Sequence, residues 1–72
     1  MEELVKFEKG YYSIKHGRFF GYDFELDRCD TYEKLISWIS HLTRKTWVTS
    51  SHIKQLINEF ESVTGLPTYI NV

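Results

Sequence analysis

The stretch that decides the fold is residues 4–15, whose sequence is LVKFEKGYYSIK. Two runs of alternating apolar and polar residues flank a Lys-Gly dipeptide, and a two-residue turn of this kind is typical of a β-hairpin. Such a turn pairs Phe7 with Tyr12 and Val5 with Ile14. Because side chains alternate between the two faces of a strand, all four residues share one face. The turn and the apolar pattern predict the same register, which indicates a folded antiparallel sheet.

A third strand is predicted after this hairpin, because apolar and outward-facing residues alternate with a period of two over residues 19–27. The set that faces the core comprises Phe20, Tyr22, Phe24 and Leu26. The set that faces outward comprises Phe19, Gly21, Asp23, Glu25 and Asp27. Carboxylates are therefore expected on the outer face of the sheet.

The loop before this strand is predicted to have three residues, His16-Gly17-Arg18. A two-residue loop would pair Lys15 with Phe20 and would mix polar residues into the apolar face. The longer loop keeps the apolar sets together, and Gly17 supplies the left-handed residue that it needs. The pairs predicted on this basis are Ile14 with Phe20 and Tyr12 with Tyr22.

Two amphipathic helices are predicted to follow the strands. Asp30 caps the first, because residues 30–33 have the capping-box spacing with Asp in place of Ser or Thr. The second helix begins after Thr49 or Ser50 and ends at Gly65, which suits a left-handed position. The first helix is expected to bury a stripe of Tyr32, Leu35, Ile36, Ile39 and Leu42, with Trp38 at its edge. The second is expected to bury Ile53, Leu56, Ile57, Phe60 and Val63.

These elements predict a single α+β domain over residues 1–72 with the order βββαα. A three-stranded antiparallel sheet would carry both helices on one face, because each helix has one apolar stripe and the sheet has one apolar face. Residues 68–72 are β-prone and are a candidate for a fourth strand at a sheet edge. The other face of the sheet is left open to solvent or to a partner.

Composition narrows the class of protein. The formal net charge of −1 favours neither general nucleic-acid binding nor attraction to an anionic membrane. Cys29 is the only cysteine, so no intrachain disulfide is expected and a reducing cytoplasm fits best. No apolar run approaches the roughly 20 residues that span a bilayer, and the acidic N-terminal residues do not predict a signal peptide.

The residues that could carry chemistry do not form a recognisable catalytic or metal-binding pattern. His16, His41 and His52 have no metal-ligand spacing with one another or with Cys29, so surface histidines and no metal site are expected. Cys29 precedes a helix N-terminus, where the dipole favours a thiolate, but a nucleophile also needs a base and a third group. An ordinary half-buried thiol is expected instead. With no cofactor motif, the protein is predicted not to be an enzyme.

The outer face of the sheet is the leading candidate for a binding surface. Aromatic side chains beside charged groups on an open sheet are typical of protein interfaces. A charged face that only suppresses edge pairing is the structural alternative. The candidate protein-binding residues are Tyr11, Lys15, Phe19, Asp23 and Glu25.

Residues 43–56 favour a second hypothesis, a helix-turn-helix-like DNA-binding regulator. A helix, a short turn and a Ser/Thr-capped helix with polar residues in its first turns match that motif. The turn lacks the usual glycine, and the chain has no basic arm. The candidate DNA-binding residues are Arg44, Lys45, Ser51, Lys54 and Gln55.

Residues 30–38, DTYEKLISW, followed by Ile53 and then Asn58-Glu59-Phe60, resemble the helical part of small phage anti-CRISPR inhibitors of the type I-F kind. The resemblance covers about half of the chain and also extends to the order of strands followed by two helices. It implies a non-catalytic protein that binds a subunit of a host surveillance complex through its sheet face. The partner-contacting residues of that family have no counterpart that can be located in this sequence. The sequence therefore predicts a small cytoplasmic phage or mobile-element protein that occludes a host protein or protein complex.

Overall fold

The structure, a computed structural model, describes residues 2–70 and confirms the α+β class and the order βββαα. The three strands form one antiparallel sheet in the order β1-β2-β3. The elements are β1 (Val5–Glu8), β2 (Tyr11–His16), β3 (Phe19–Glu25), a single 3₁₀ turn (Leu26–Arg28), α1 (Tyr32–Leu42) and α2 (Ser50–Thr64). Residues 68–70 of the predicted fourth strand form no strand, and its residues 71–72 lie outside the described part of the chain.

The first hairpin has the register that its sequence predicts. Val5 pairs with Ile14 and Phe7 pairs with Tyr12. The two turn residues, Lys9-Gly10, have φ angles of 55° and 84°, the pair of left-handed conformations that matches the twist of the flanking strands. The rings of Phe7 and Tyr12 pack edge to face with their centroids 5.0 Å apart, which adds an aromatic contact to the pairing.

The second hairpin differs from its prediction. Its turn has two residues, 17–18, and a β-bulge adds Gly21 to β3. The apolar pattern requires one extra residue on this side of the hairpin, and the chain inserts it in the strand rather than in the loop. A residue without a side chain suits such a bulge. The predicted pairs are wrong, and the observed pairs are Lys15 with Phe20, Ile14 with Tyr22 and Tyr12 with Phe24.

The bulge exchanges the faces of the two phenylalanines that open β3. Because Phe20 pairs with Lys15, its ring lies on the outer face, where the Nζ atoms of Lys6 and Lys15 are 4.6 and 5.9 Å from the ring centroid. Phe19 consequently points to the opposite side and is 76% exposed. The predictions that Phe20 faces the core and that Phe19 shares the outer face with Tyr11 are therefore wrong.

Side-chain caps fix where the two helices begin. The Thr31 hydroxyl accepts a hydrogen bond from the Lys34 backbone N–H at 3.3 Å, so Thr31 caps α1 and the predicted cap at Asp30 is wrong by one residue. The Asp30 carboxylate instead pairs with the Lys34 ammonium group at 2.9 Å. Thr49 caps α2, and Gly65 ends it with a φ of 74°, as predicted.

The core lies between the inner face of the sheet and the two helices. The fully or nearly buried apolar residues are Val5, Tyr12, Ile14, Phe24, Cys29, Leu35, Leu42, Ile53, Leu56, Ile57 and Phe60. The α2 stripe is as predicted, except that Val63 is only half-buried. In α1, Tyr32 and Ile36 are 47% and 41% exposed, which corrects the predicted stripe. The buried face of α1 is turned toward Trp38, since that indole stacks on Phe24 with centroids 4.0 Å apart.

Candidate protein-binding surface

Within residues 2–70, neither helix covers the outer face of the sheet, because both pack on the inner face. Alternation along the strands places the side chains of Lys6 and Glu8 outward, since Val5 and Phe7 point inward. The strand pairing then forms two rows across this face. The first row is Glu8–Tyr11–Glu25 and the second is Lys6–Ser13–Asp23.

The half of this face near the turn of residues 17–18 is occupied by contacts within the chain. The Lys15 ammonium group contacts the Glu2 carboxylate at 2.6 Å, and its hydrogen bond holds the pKa of Glu2 below its usual value. Lys6 lies over the Phe20 ring, and Ser13, on the strand between theirs, is only 9% exposed. The predicted binding residue Lys15 is thus engaged in the fold.

The other half contains an exposed aromatic ring among carboxylates, and we refer to Glu8, Tyr11, Asp23 and Glu25 as the acidic corner. Tyr11 is 45% exposed and lies between Glu8 and Glu25 in the register, with Asp23 one diagonal step away. Glu8 is 3.6 Å from the Lys6 ammonium group. Within residues 2–70, neither Asp23 nor Glu25 takes part in an ion pair, so their charges are free to act on a partner.

A depression of about 250 Å³ borders the acidic corner where β3 gives way to the 3₁₀ turn. Its lining consists of Tyr11, Asp23, Phe24, Glu25, Arg28 and Trp38. The Trp38 indole N–H donates a hydrogen bond to the Arg28 carbonyl at 2.8 Å, and the ring stacks on Phe24. These two contacts hold the indole in place at the wall of the depression.

The structure brings together three of the five predicted protein-binding residues, Tyr11, Asp23 and Glu25. Lys15 lies on the same face but in the occupied half, and Phe19 lies on the other face. Trp38 is a residue of the site that the sequence alone does not predict. The position of Trp38 at the edge of the α1 stripe indicates that it lies near the sheet, but only the packing shows that its ring contacts β3.

The predicted DNA-binding residues do not form one exposed surface, because two of the five contact other parts of the fold. Arg44, Ser51 and Lys54 are exposed. The Lys45 ammonium group lies 5.1 Å from the centroid of the Tyr22 ring. The Gln55 amide is turned toward β1, where its oxygen accepts hydrogen bonds from two backbone N–H groups at 2.6 and 3.2 Å. Gln55 therefore holds the start of the sheet against α2.

The histidines differ in burial. His16 and His41 are exposed, as predicted, but His52 is only 8% exposed, which corrects its expected surface position. Its Nδ1 accepts the backbone N–H of Thr49 at 3.0 Å, so the ring hydrogen is on Nε2 and is donated to the Lys15 carbonyl at 2.9 Å. Among residues 2–70, no three or more His, Cys, Asp or Glu side chains are grouped to hold a metal ion.

Cys29 is completely buried, which is a deeper position than the predicted half-buried thiol. Burial raises the pKa of this thiol from 9.0 to about 11. Helix α1 begins only at Tyr32, and the thiol is not activated by the helix N-terminus. A thiol with a raised pKa stays protonated at neutral pH and is a poor nucleophile.

Raising the pH from about 9 to about 11 is expected to destabilise the fold through Cys29. The unfolded thiol loses its proton at a lower pH than the folded thiol, so the folded state binds more protons in this window. The free energy of unfolding should then fall by at most about 1.4 kcal/mol per pH unit from this group. Urea titrations of the wild type and of Cys29→Ala over this pH range measure the effect. Equal slopes with pH in the two proteins would contradict it.

Neither helix within residues 2–70 has the length and apolar character needed to cross a membrane. Comparisons with protein-family models, with curated proteins and with solved structures find no match to this chain. Within residues 2–70, the acidic corner combines an exposed aromatic ring with two carboxylates that form no ion pair.

Proposed function

We propose that this chain is a small, non-catalytic binding protein of a phage or another mobile element that acts in the host cytoplasm by occluding the surface of a host protein. The observation that carries the proposal is the position of Tyr11. Its ring is 45% exposed among the carboxylates of the acidic corner, on the sheet face that the helices leave uncovered. The resemblance of residues 30–38 and 58–60 to phage anti-CRISPR inhibitors supports a partner from a host defence complex.

The chemistry of the acidic corner supports binding to a protein with a basic surface. An aromatic anchor surrounded by polar groups can supply most of the energy of an interface. Tyrosine is suited to this role because its rigid ring offers a large contact area and loses little conformational entropy. The carboxylates of Asp23 and Glu25, which form no ion pair within residues 2–70, favour lysine or arginine opposite them, which increases the rate of association and selects the partner.

Tyr11→Ala is expected to weaken partner binding by about 2 kcal/mol or more, or about 30-fold, with little change in stability. The measurement is quantitative capture from nuclease-treated host lysate on the immobilised chain, with the melting temperature of each variant recorded. Tyr32→Ala is the matched control, because Tyr32 has nearly the same exposure, 47% against 45%, but lies on α1. Equal loss of a captured protein in both variants would contradict a specific role for Tyr11.

A paired variant, Arg44→Ala with Lys54→Ala, tests the DNA-binding alternative. Both side chains are exposed, so the fold should tolerate their removal. We expect this variant to capture the same host protein as the wild type. The alternative predicts that the wild type binds duplex DNA with an affinity that falls steeply as salt is added. If the paired variant loses this DNA binding while Tyr11→Ala keeps it, the chain is a DNA-binding regulator.

A further inference from the structure

The two edge strands of the sheet differ in how their outer backbone groups are used. β1 forms one edge. At its start, the Gln55 amide accepts hydrogen bonds from the N–H groups of Leu4 and Val5 at 2.6 and 3.2 Å and donates one to the Glu2 carbonyl at 2.8 Å. Of these groups, the Val5 N–H points away from β2, because Leu4 is the residue that bonds to Lys15 of β2, so a side chain of α2 occupies the start of this edge.

β3 forms the opposite edge, and some of its backbone groups point away from the sheet. The Leu26 N–H donates a hydrogen bond to the Gly10 carbonyl at 3.0 Å, so it points toward β2. Because this direction alternates along an antiparallel strand, the N–H groups of Asp23 and Glu25 and the carbonyl of Asp23 point outward. Within residues 2–70, no strand pairs with this edge.

The depression at the end of β3 is lined by residues from both faces of this strand. Tyr11, Asp23 and Glu25 line it from the outer face of the sheet, and Phe24 and Trp38 line it from the helix side. A strand laid along the edge would place alternate side chains next to the carboxylates. The side chains between them would lie next to the stacked rings of Phe24 and Trp38.

We propose that the free edge of β3 pairs with an extended segment of the partner protein that carries lysine or arginine at alternate positions, an inference that rests on the proposed function. Backbone hydrogen bonds to Asp23 and Glu25 supply affinity, as in other cases of strand addition. The basic side chains neutralise the two carboxylates that have no ion-pair partner among residues 2–70. An apolar residue between them contacts Trp38.

Charge also selects against a second copy of this chain as the occupant. Two β3 strands paired edge to edge would place the outward carboxylates of both copies side by side. Like charges on neighbouring strands destabilise their pairing. The depression beside this edge is lined by two carboxylates, Asp23 and Glu25, and one cation, Arg28, so a basic segment meets it with complementary charge.

The first test uses the full chain and a short synthetic peptide of alternating lysine and valine as the probe. Amide NMR is expected to show shifted signals and slowed hydrogen exchange for Asp23 and Glu25 when this peptide is added. A peptide in which glutamate replaces lysine should not bind. The lysine–valine peptide with N-methyl groups on its edge-facing amides should bind about tenfold more weakly or worse, since it cannot donate its backbone hydrogen bonds.

The second test removes one donor from the edge of β3. Glu25 has a φ of −72°, which is close to the value that proline imposes, and its N–H points away from β2. Glu25→Pro should therefore fold and lose both the charge and the donor. Glu25→Ala is the matched control that loses only the charge. We expect the lysine–valine peptide to bind Glu25→Pro about tenfold more weakly than Glu25→Ala.

Several results would overturn strand addition. The lysine–valine peptide could fail to bind, or the glutamate or N-methylated peptide could bind equally well. Glu25→Pro, if folded, could also bind the lysine–valine peptide with the same affinity as Glu25→Ala. Concentration-dependent dimerisation that Glu25→Pro abolishes would identify a second copy as the occupant and would also overturn it. If capture of the host protein is lost with Tyr11→Ala but not with Glu25→Pro, the proposed function stands and strand addition at β3 is wrong.

Discussion

Phe60→Ala is expected to lower the free energy of unfolding by about 3–5 kcal/mol. The Phe60 ring is completely buried on α2, where it belongs to the single core shared by the sheet and both helices. Its removal forfeits the transfer free energy of the ring and leaves a cavity that a small core cannot fill by relaxation. A 72-residue domain has about 4–11 kcal/mol of total stability, so the variant should lie close to unfolding at room temperature.

Urea titration followed by circular dichroism measures this loss, with the slope of the transition as a check on two-state behaviour. Asn58→Ala is the control, because Asn58 is exposed on the same helix and should change the free energy by about 0.5 kcal/mol or less. A near-wild-type midpoint for Phe60→Ala would show that α2 does not pack on the sheet through this residue.

His52→Ala is expected to cost about 2–4 kcal/mol, the second largest effect. The ring completes the capping box of α2 through Thr49 and donates a hydrogen bond to the Lys15 carbonyl on β2. It also packs edge-on against Trp47, with centroids 5.8 Å apart. Its removal leaves the backbone N–H of Thr49 and the carbonyl of Lys15 without these hydrogen bonds. Both groups are partly buried, and a buried polar group without a hydrogen bond lowers the stability of the fold.

Thermal unfolding of His52→Ala and His41→Ala gives a matched comparison between two histidines. His41 is exposed, and its ring forms a hydrogen bond with the Tyr22 hydroxyl at 2.9 Å. We expect His41→Ala to cost about 1 kcal/mol or less. If the two variants melt at the same temperature, the link from α2 to β2 through His52 contributes nothing beyond an ordinary surface contact.

The sequence was sufficient to predict the acidic and aromatic character of the candidate site but not the full set of residues that form it. Alternation along β3 was enough to place Asp23 and Glu25 on the outer face beside Tyr11. The same alternation placed Phe19 there, because a period of two continues unbroken through Gly21 in the sequence. The place of Trp38 at the edge of the α1 stripe indicates that it lies near the sheet, but its stack on Phe24 of β3 depends on packing between two elements.

The sequence by itself determined the features that depend on a few neighbouring residues. Lys9-Gly10 sets the first turn and hence its register, Gly65 ends α2, and the apolar spacing of α2 selects its buried face. For the first turn and the end of α2, the hydrogen bonds and backbone angles involved lie within one turn of chain. For the buried face of α2, the helical period alone places the apolar residues on one side. The competing local conformations are then higher in energy before any tertiary contact forms.

Tertiary structure decided the features for which the local energies are nearly balanced. The extra residue of the second hairpin can lie in the loop or at Gly21, and in both cases Tyr22 and Phe24 face the core. The contacts of Phe20 with Lys6 and Lys15 on the outer face accompany the bulge, and they lie between strands. Likewise His52 is polar enough for the surface, but Lys15, 37 positions away in the chain, offers the acceptor that holds it inside. Only the packed fold brings such partners together, because the local sequence around a side chain does not specify which distant backbone group it will contact.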